Sequence, residues 1–130
     1  PVIAQGIALH AAIDYLDDIG MRNVQAHEDH LAEYAYDRLS AFDDVEIYGP
    51  PGDDRGGLVA FNLEGVHAHD LSSILNDHGV AIRAGDHCTQ PLHDKLGVPA
   101  STRASFYIYN TREEIDALVD AVDDARQLFA

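Results

Sequence analysis

With 130 residues, of which 46% are hydrophobic, the chain has the size and composition of one globular domain with its own core. A net charge of -15, from 23 acidic residues against 8 basic ones, excludes the basic surface that nucleic-acid binding needs. The sequence contains no apolar run approaching the roughly 20 residues that span a bilayer, and no secretory signal pattern. We therefore expect neither a nucleic-acid partner nor a membrane partner.

The first third of the chain predicts two helices. Apolar residues at helical spacing occupy positions 3–19, and Gly20 is placed to end that helix. Asn23 is a candidate cap for a second helix over 23–42. The buried stripe of this second helix would contain Val24, Leu31, Tyr34 and Leu39.

The middle of the chain predicts three strands and one helix. Strands are expected at 45–49 and 58–63, joined by a turn over 50–57 that is rich in proline, glycine and aspartate. Leucine and isoleucine at helical spacing then predict a helix that ends near Gly79. A short strand is expected at 80–83.

The last third predicts a short helix, a strand and a long helix. Thr89 can cap a helix that runs to Lys95, with Gly97 closing it. Alternating residues predict a strand at 103–109, and the TREE sequence at 111–114 has the spacing of a capping box. The apolar stripe of the final helix would contain Ile115, Leu118, Val119 and Val122.

This order of elements predicts a single α+β domain over residues 1–130. We expect a small, mostly antiparallel sheet with helices packed on one face. The chain starts at Pro1 already inside a helical pattern, so we interpret it as a piece of a longer protein.

The acidic residues are mostly aspartate, and they are spread along the chain rather than gathered in one tail. Lys95 is the single lysine. High salt screens the self-repulsion of such a surface, while its carboxylates keep it hydrated. The pattern indicates a salt-accumulating cytoplasm, and an acidic domain from a low-salt cytoplasm is the alternative.

Cys88, the single cysteine, lies in the run RAGDHCTQPL at 83–92. A lone cysteine cannot form an internal disulfide, which fits a reducing cytoplasm. Alternation along the strands directs Arg83 and Arg103 away from the core, so both could gather with Cys88 on one side of the sheet. The following helix and His87 would favour the reactive thiolate, whereas the charge of Asp86 opposes it.

The run RAGDHCTQPL, followed 15 residues after Cys88 by the arginine of RASFYIYNTREEID, resembles the C-terminal domain of group II, Suf-type cysteine desulfurases. These enzymes belong to the class V aminotransferase family and depend on pyridoxal phosphate. The similarity continues through YGPP, LVAFNL, HAHDLSSIL and the last helix, so it covers essentially the whole chain. It implies the small-domain fold of fold-type I pyridoxal-phosphate enzymes.

The resemblance also implies a reaction and its residues. L-Cysteine would be converted to L-alanine, and Cys88 would receive the sulfur as a persulfide for iron-sulfur cluster assembly. By position, Arg103 resembles the residue that binds the substrate carboxylate, and Arg83 resembles an active-site arginine at the base of the loop. His87 matches a family histidine beside the nucleophile, whereas Asp86 departs from the histidine often found there.

Other parts of the family's machinery are expected outside this chain. The lysine that holds pyridoxal phosphate and most phosphate-binding residues belong to a large domain upstream, so Lys95 is interpreted as a solvated helix lysine and the isolated chain as inactive. The resemblance implies a homodimer and a sulfur-acceptor protein of the Suf system. His69 resembles a position that contacts the zinc of such an acceptor, and no intrinsic metal is expected.

Two alternatives remain open from the residues. A metal-binding module could use Asp86, His87, Cys88 and His93, which are plausible zinc ligands, although adjacent residues seldom bind one ion together. A regulatory or interaction domain without catalysis is the second alternative.

Overall fold

The computed structural model describes residues 2–51 and 55–129, in which five helices and a four-stranded sheet are formed. In chain order the elements are α1 (Ile3–Ile19), α2 (Met21–Leu39), β1 (Val45–Tyr48), β2 (Leu58–Leu63), α3 (Ala68–Asp77), β3 (Arg83–Gly85), α4 (Gln90–Leu96), β4 (Ser101–Ser105) and α5 (Arg112–Phe129). The strand order is β1-β2-β4-β3, and all neighbouring strands are antiparallel. The α+β prediction is confirmed. Part of the predicted turn at 50–57, residues 52–54, lies outside the described residues.

One face of the sheet carries the hydrophobic core. Along β2, Val59, Phe61 and Leu63 are buried, whereas Ala60 and Asn62 between them are only partly buried. Helices α2 and α3 pack against this face, and α5 packs on both of them. Each large apolar side chain that is fully buried here stabilises the fold by roughly 1.5–3 kcal/mol. The predicted packing of helices on one face is confirmed.

The predicted apolar stripes form the helical part of this core. In α5 the four predicted residues are buried: Ile115, Leu118, Val119 and Val122. In α2 the residues Val24, Leu31 and Leu39 are buried, and Tyr34 packs against the core while partly exposed.

The other face of the sheet is polar where β3 and β4 pair. The register places Arg83 of β3 directly opposite Arg103 of β4. Two residues along, Gly85 lies opposite Ser101. Because Ala104 is buried in the core, alternation directs Ser101 and Arg103 to the opposite face. The predicted gathering of two arginines on the non-core side is therefore what the register produces.

The predicted cap at Asn23 is wrong. Gly20 has φ +88° and lets the chain turn immediately, so α2 begins at Met21 and places Asn23 inside its first turn. The Asn23 amide instead donates a hydrogen bond of 2.7 Å to the Ile19 carbonyl at the end of α1. The second helix also ends at Leu39 rather than at residue 42.

Two strand boundaries differ from those predicted. The third strand covers Arg83–Gly85 rather than 80–83, because only residues 83–85 find partners on β4. The fourth strand covers Ser101–Ser105 rather than 103–109, since the chain turns after it with a hydrogen bond from Asn110 N to Tyr107 O. The predicted directions still hold at 80–83, where Val80 and Ile82 pack on the core and Arg83 is exposed.

The predicted ends of the last two helices are confirmed. Gly97 closes α4 in the left-handed conformation, with φ 74° and ψ 22°. The capping box of α5 is formed, because Thr111 N donates to Glu114 Oε2 at 3.1 Å and Glu114 N donates to Thr111 Oγ1 at 3.4 Å.

Helix α1 differs from the others in that none of its residues is buried, and it contacts α2, which begins directly after Gly20. Its exposed apolar side chains include Ile3, Ile7, Leu9, Ile13 and Tyr15. Across the described ranges, the helices are too short or too polar to cross a membrane.

Candidate active site at the Cys88 loop

Cys88 lies in a tight loop between β3 and α4. His87 and Cys88 have φ of 53° and 61°, the left-handed region that side chains rarely adopt. Asp86 holds this turn: its carboxylate Oδ1 accepts from Cys88 N at 3.0 Å, and its carbonyl accepts from Thr89 N at 2.8 Å. Such strained residues persist only when the surrounding contacts determine them.

Thr89 contributes to this turn in a different way from the one predicted. It occupies the N-cap position of α4, but its side chain caps no helical N–H group. Its hydroxyl donates to the Asp86 carbonyl at 2.7 Å instead. The predicted N-cap position of Thr89 is therefore confirmed, but its hydroxyl stabilises the preceding loop rather than a helical N–H group.

The Cys88 thiol is exposed and lies beside a guanidinium group. Arg83 Nη2 is 3.7 Å from Cys88 Sγ, within hydrogen-bond range for sulfur. Arg83 and Arg103 are register partners, so two cationic side chains leave the sheet next to each other at this loop. The structure thus places Cys88 against Arg83, and Arg103 is the register neighbour of Arg83 on the next strand.

Both arginines lack a carboxylate partner, although the chain is strongly acidic. Neither Arg83 nor Arg103 forms an ion pair with any carboxylate of residues 2–51 and 55–129. By contrast, Arg126 binds Asp44 through a 2.6 Å contact. The Nε atom of Arg103 is also buried without a hydrogen-bond partner among the described residues. An unpaired pair of guanidinium groups can bind an anionic ligand.

His87 is half-buried, and its ring is directed to Ser101 rather than to solvent. Its Nε2 atom is 3.1 Å from Ser101 Oγ. Burial, followed by the charges of Arg103 and His93, lowers the pKa of the His87 imidazole below its usual value. The ring is therefore mainly neutral at neutral pH, and Arg83 rather than His87 supplies positive charge beside the sulfur.

Sequence analysis missed the role of Ser101, and it considered His93 only as a metal ligand. Both residues are buried, with 1% and 3% of their surface exposed. His93 Nε2 is 3.0 Å from Ser101 Oγ, so one hydroxyl joins the two histidines. Extending the predicted strand two residues towards its start would have placed Ser101 on the same face as Arg103.

The metal-binding alternative finds no support in this geometry. Among residues 2–51 and 55–129, no group of three or more histidine, cysteine, aspartate or glutamate side chains could hold a metal ion. Instead, the carboxylate of Asp86 accepts from Cys88 N, and the ring of His93 is bonded to Thr89 and Ser101.

The remaining histidine of interest, His69, is exposed in the first turn of α3. Its ring stacks on that of His67, with the two ring centres 5.2 Å apart. His67 Nδ1 also accepts a hydrogen bond from His69 N at 3.3 Å. These contacts are local to the start of α3.

The exposed Cys88 thiol therefore lies beside the Arg83 guanidinium, next to Arg103, on an antiparallel sheet whose opposite face carries the hydrophobic core. A sequence profile of the family described as aminotransferase class-V matches residues 1–118. Because this match covers most of the chain, the chain belongs to the class-V aminotransferase family.

Individual relatives agree with this assignment. The chain is 82% identical over 130 residues to a cysteine desulfurase of Haloferax volcanii and 75% identical over 130 residues to a probable cysteine desulfurase of Halobacterium salinarum. All of the chain is covered, but only 30% and 31% of those proteins. The chain thus spans about a third of the length of the curated relatives it matches.

A solved structure has the same fold. The cysteine desulfurase CsdA of Escherichia coli, in a form with S-sulfonic acid, superimposes with a TM-score of 0.92 at 38% sequence identity. The superposition covers 100% of this chain and 32% of that protein. The expected small-domain fold is therefore confirmed by a structural relative.

Proposed function

We propose that this chain is the C-terminal domain of a pyridoxal-phosphate-dependent cysteine desulfurase, which converts L-cysteine to L-alanine. The observation that carries the proposal is the exposed Cys88 thiol, 3.7 Å from the Arg83 guanidinium and next to the register pair of Arg83 and Arg103. Family membership and the curated relatives support the same reaction.

Cys88 is proposed as the nucleophile. Its thiolate attacks the sulfur of the substrate cysteine and forms a sulfur–sulfur bond, while the substrate carbon–sulfur bond breaks. The electron pair of the broken bond stays with the carbon fragment, which gains a proton and leaves as alanine. Cys88 then carries a persulfide, and Arg83 beside it balances the charge of the sulfur anion.

Arg103 is proposed to bind the substrate carboxylate. Its planar guanidinium can make two parallel hydrogen bonds to a carboxylate, and it has no competing carboxylate among the described residues. Arg83 lies opposite it on β3 and contacts the thiol. Together they orient the substrate sulfur towards Cys88, while His87 fixes the loop through Ser101.

The cofactor is proposed to be held by residues of the complete enzyme outside this chain. Lys95 is exposed on α4, and the side chains around Cys88 are guanidinium and imidazole groups, which fit an anionic substrate rather than covalent attachment of the cofactor. Pyridoxal phosphate supplies an electron sink for the bonds at the substrate α-carbon. We assign no residue of this chain to hold it.

The partners are proposed on the same basis. The persulfide sulfur would pass to an acceptor protein of the Suf system for iron-sulfur cluster assembly, with the exposed His69 as a candidate contact to the zinc of that acceptor. The complete enzyme would be a homodimer in a reducing cytoplasm, in keeping with the single cysteine.

The reaction can be tested with the complete enzyme that contains this chain. We expect it, loaded with pyridoxal phosphate, to form one alanine for each sulfur atom removed from L-cysteine. The isolated chain of 130 residues should form none, because it lacks the proposed cofactor lysine. The measurement is the amount of alanine, determined by chromatography, after each protein has been incubated with L-cysteine. No alanine from the complete enzyme would refute the proposal.

We also propose that the acidic surface adapts the protein to high salt. A net charge of -15 should destabilise the fold by self-repulsion in dilute buffer, and molar potassium chloride should screen that repulsion. We therefore expect the midpoint of thermal unfolding to rise with salt. Circular dichroism melts in dilute buffer and in molar salt provide the measurement. A midpoint that is constant or falls would contradict this adaptation.

A further inference from the structure

Ser101 joins two histidines behind the Cys88 loop. Its hydroxyl oxygen is 3.1 Å from His87 Nε2 and 3.0 Å from His93 Nε2. Ser101 and His93 are almost completely buried. Hydrogen bonds at buried positions are costly to lose, because a group left without a partner keeps its full desolvation penalty.

The donor and the acceptor of each of these hydrogen bonds can be assigned by starting from His93. His93 Nδ1 is 3.2 Å from the Thr89 carbonyl oxygen and 3.3 Å from Thr89 Oγ1. The carbonyl can only accept, and the Thr89 hydroxyl already donates to the Asp86 carbonyl, so His93 carries a hydrogen on Nδ1. In the neutral form of His93, Nε2 then accepts from the Ser101 hydroxyl. The Ser101 oxygen in turn accepts from His87, which must carry its hydrogen on Nε2.

The second nitrogen of His87 agrees with this assignment. His87 Nδ1 is buried and has no hydrogen-bond partner among the described residues. A buried N–H group without a partner is rarer than a buried acceptor, so the ring hydrogen belongs on Nε2. The charged or titratable groups that face His87 are Arg103 on β4, Arg83 on β3 and His93 on α4. All of them disfavour a charged ring.

The position of His87 matters because it precedes Cys88 in the strained turn. Both residues have left-handed backbone angles, and each such residue costs on the order of 1–3 kcal/mol unless other contacts hold it. Asp86 holds the backbone of the turn, as described above. The His87 side chain is held by its hydrogen bond to Ser101, on a neighbouring strand.

We propose that Ser101 is a positioning residue for Cys88: its hydroxyl anchors the Nε2–H tautomer of His87 to His93, and the anchored His87 keeps the turn in the conformation that holds Cys88 Sγ beside Arg83. The proposal deepens the proposed function and rests on Cys88 as the reactive thiol. It does not depend on turnover of cysteine, because the ionisation of the thiol can be followed by alkylation.

The test measures the alkylation of Cys88 by iodoacetamide as a function of pH in the complete enzyme, with the Cys88 peptide quantified by mass spectrometry. In Ser101→Ala the thiol should lose part of its contact with Arg83, so the pH of half-maximal alkylation should rise. A rise of half a pH unit corresponds to an about threefold lower rate below the midpoint. Superimposable profiles for this variant and the wild type would overturn the proposal.

Three further variants separate positioning from general destabilisation. Ser101→Thr and Ser101→Val add the same volume to the strand, but only the threonine keeps a hydroxyl, so its profile should lie nearer the wild type. Thr102→Val removes a neighbouring hydroxyl that is fully buried and has no partner among the described residues, and it should leave the profile unchanged. Equal shifts in the threonine and valine variants, or a matching shift in Thr102→Val, would overturn the proposal. The Ser101→Thr and Ser101→Val pair decides even if the alanine variant fails to fold.

Discussion

Replacing Cys88 with serine should abolish persulfide formation in the complete enzyme. Serine has nearly the same size, but its hydroxyl is a far weaker nucleophile towards sulfur than a thiolate. After exposure of the wild-type enzyme to L-cysteine, mass spectrometry should find an added mass of about 32 Da, one sulfur atom, on the peptide that contains Cys88. We expect the adduct to be absent from Cys88→Ser and alanine formation to be almost abolished.

The geometry makes this substitution a clean test. Cys88 is exposed, so the free energy of unfolding of the serine variant should lie within about 0.5 kcal/mol of that of the wild type. Met21→Leu supplies the matched control, because it removes the exposed sulfur-bearing side chain at the start of α2 but keeps the thiol and its loop. That control should still acquire the sulfur. Full turnover by Cys88→Ser, or a sulfur adduct on a different peptide, would show that Cys88 is not the nucleophile.

Most of the fold follows from periodicity in the sequence. The apolar stripe of α5 is set by side chains that must share one buried face, so Leu118 and Val122 could be assigned to the core directly. The boundaries were less predictable where two local signals compete. At the junction of α1 and α2, Gly20 was expected to end the first helix and Asn23 to cap the second, but the positive φ of Gly20 lets α2 begin directly after it.

The strand ends could not be read from local sequence, because they depend on the partner strand. Residues 80–83 have the alternation of a strand, but only the segment Arg83–Gly85 pairs with residues of β4. The same register explains why Arg83 and Arg103 are neighbours rather than merely on the same side of the sheet. Alternation in the sequence predicts the face of the sheet on which the two arginines lie, but their position as direct neighbours follows only from the pairing of β3 with β4.

In the candidate site, the reactive thiol and the arginines could be predicted from the sequence, but the residues that hold the loop in place could not. Cys88 and the arginines could be proposed from an unusual loop and a resemblance, since they are chemically distinctive residues. Ser101 is a common residue at the start of a strand, and nothing in its neighbours along the chain indicates that it bridges His87 and His93. That role depends on three elements, the Cys88 loop, α4 and β4, meeting in space.

Replacing Arg103 with lysine should lower kcat/KM for L-cysteine, although the positive charge is kept. A lysine offers a point charge instead of a planar pair of donors, so the two parallel hydrogen bonds to the substrate carboxylate are lost. Loss of a charged hydrogen bond costs about 1.5–3 kcal/mol, which corresponds to a roughly 10- to 150-fold fall in kcat/KM. Steady-state kinetics of the complete enzyme with L-cysteine provide the measurement.

The substrate's own carboxyl group supplies the sharpest control for Arg103. L-Cysteine methyl ester has no carboxylate, so the wild type and Arg103→Lys should process or bind it with similar efficiency, and their difference should be confined to L-cysteine. Arg22→Lys changes an exposed arginine on α2 and should leave both compounds unaffected. Arg83→Lys should act differently from Arg103→Lys, because Arg83 contacts Cys88 Sγ and its loss should slow sulfur transfer more than it weakens substrate binding. Two results for Arg103→Lys would contradict this role: an unchanged kcat/KM for L-cysteine, or an equal fall in kcat/KM for L-cysteine and for the ester. Either result would show that Arg103 supports the sheet rather than binding the carboxylate.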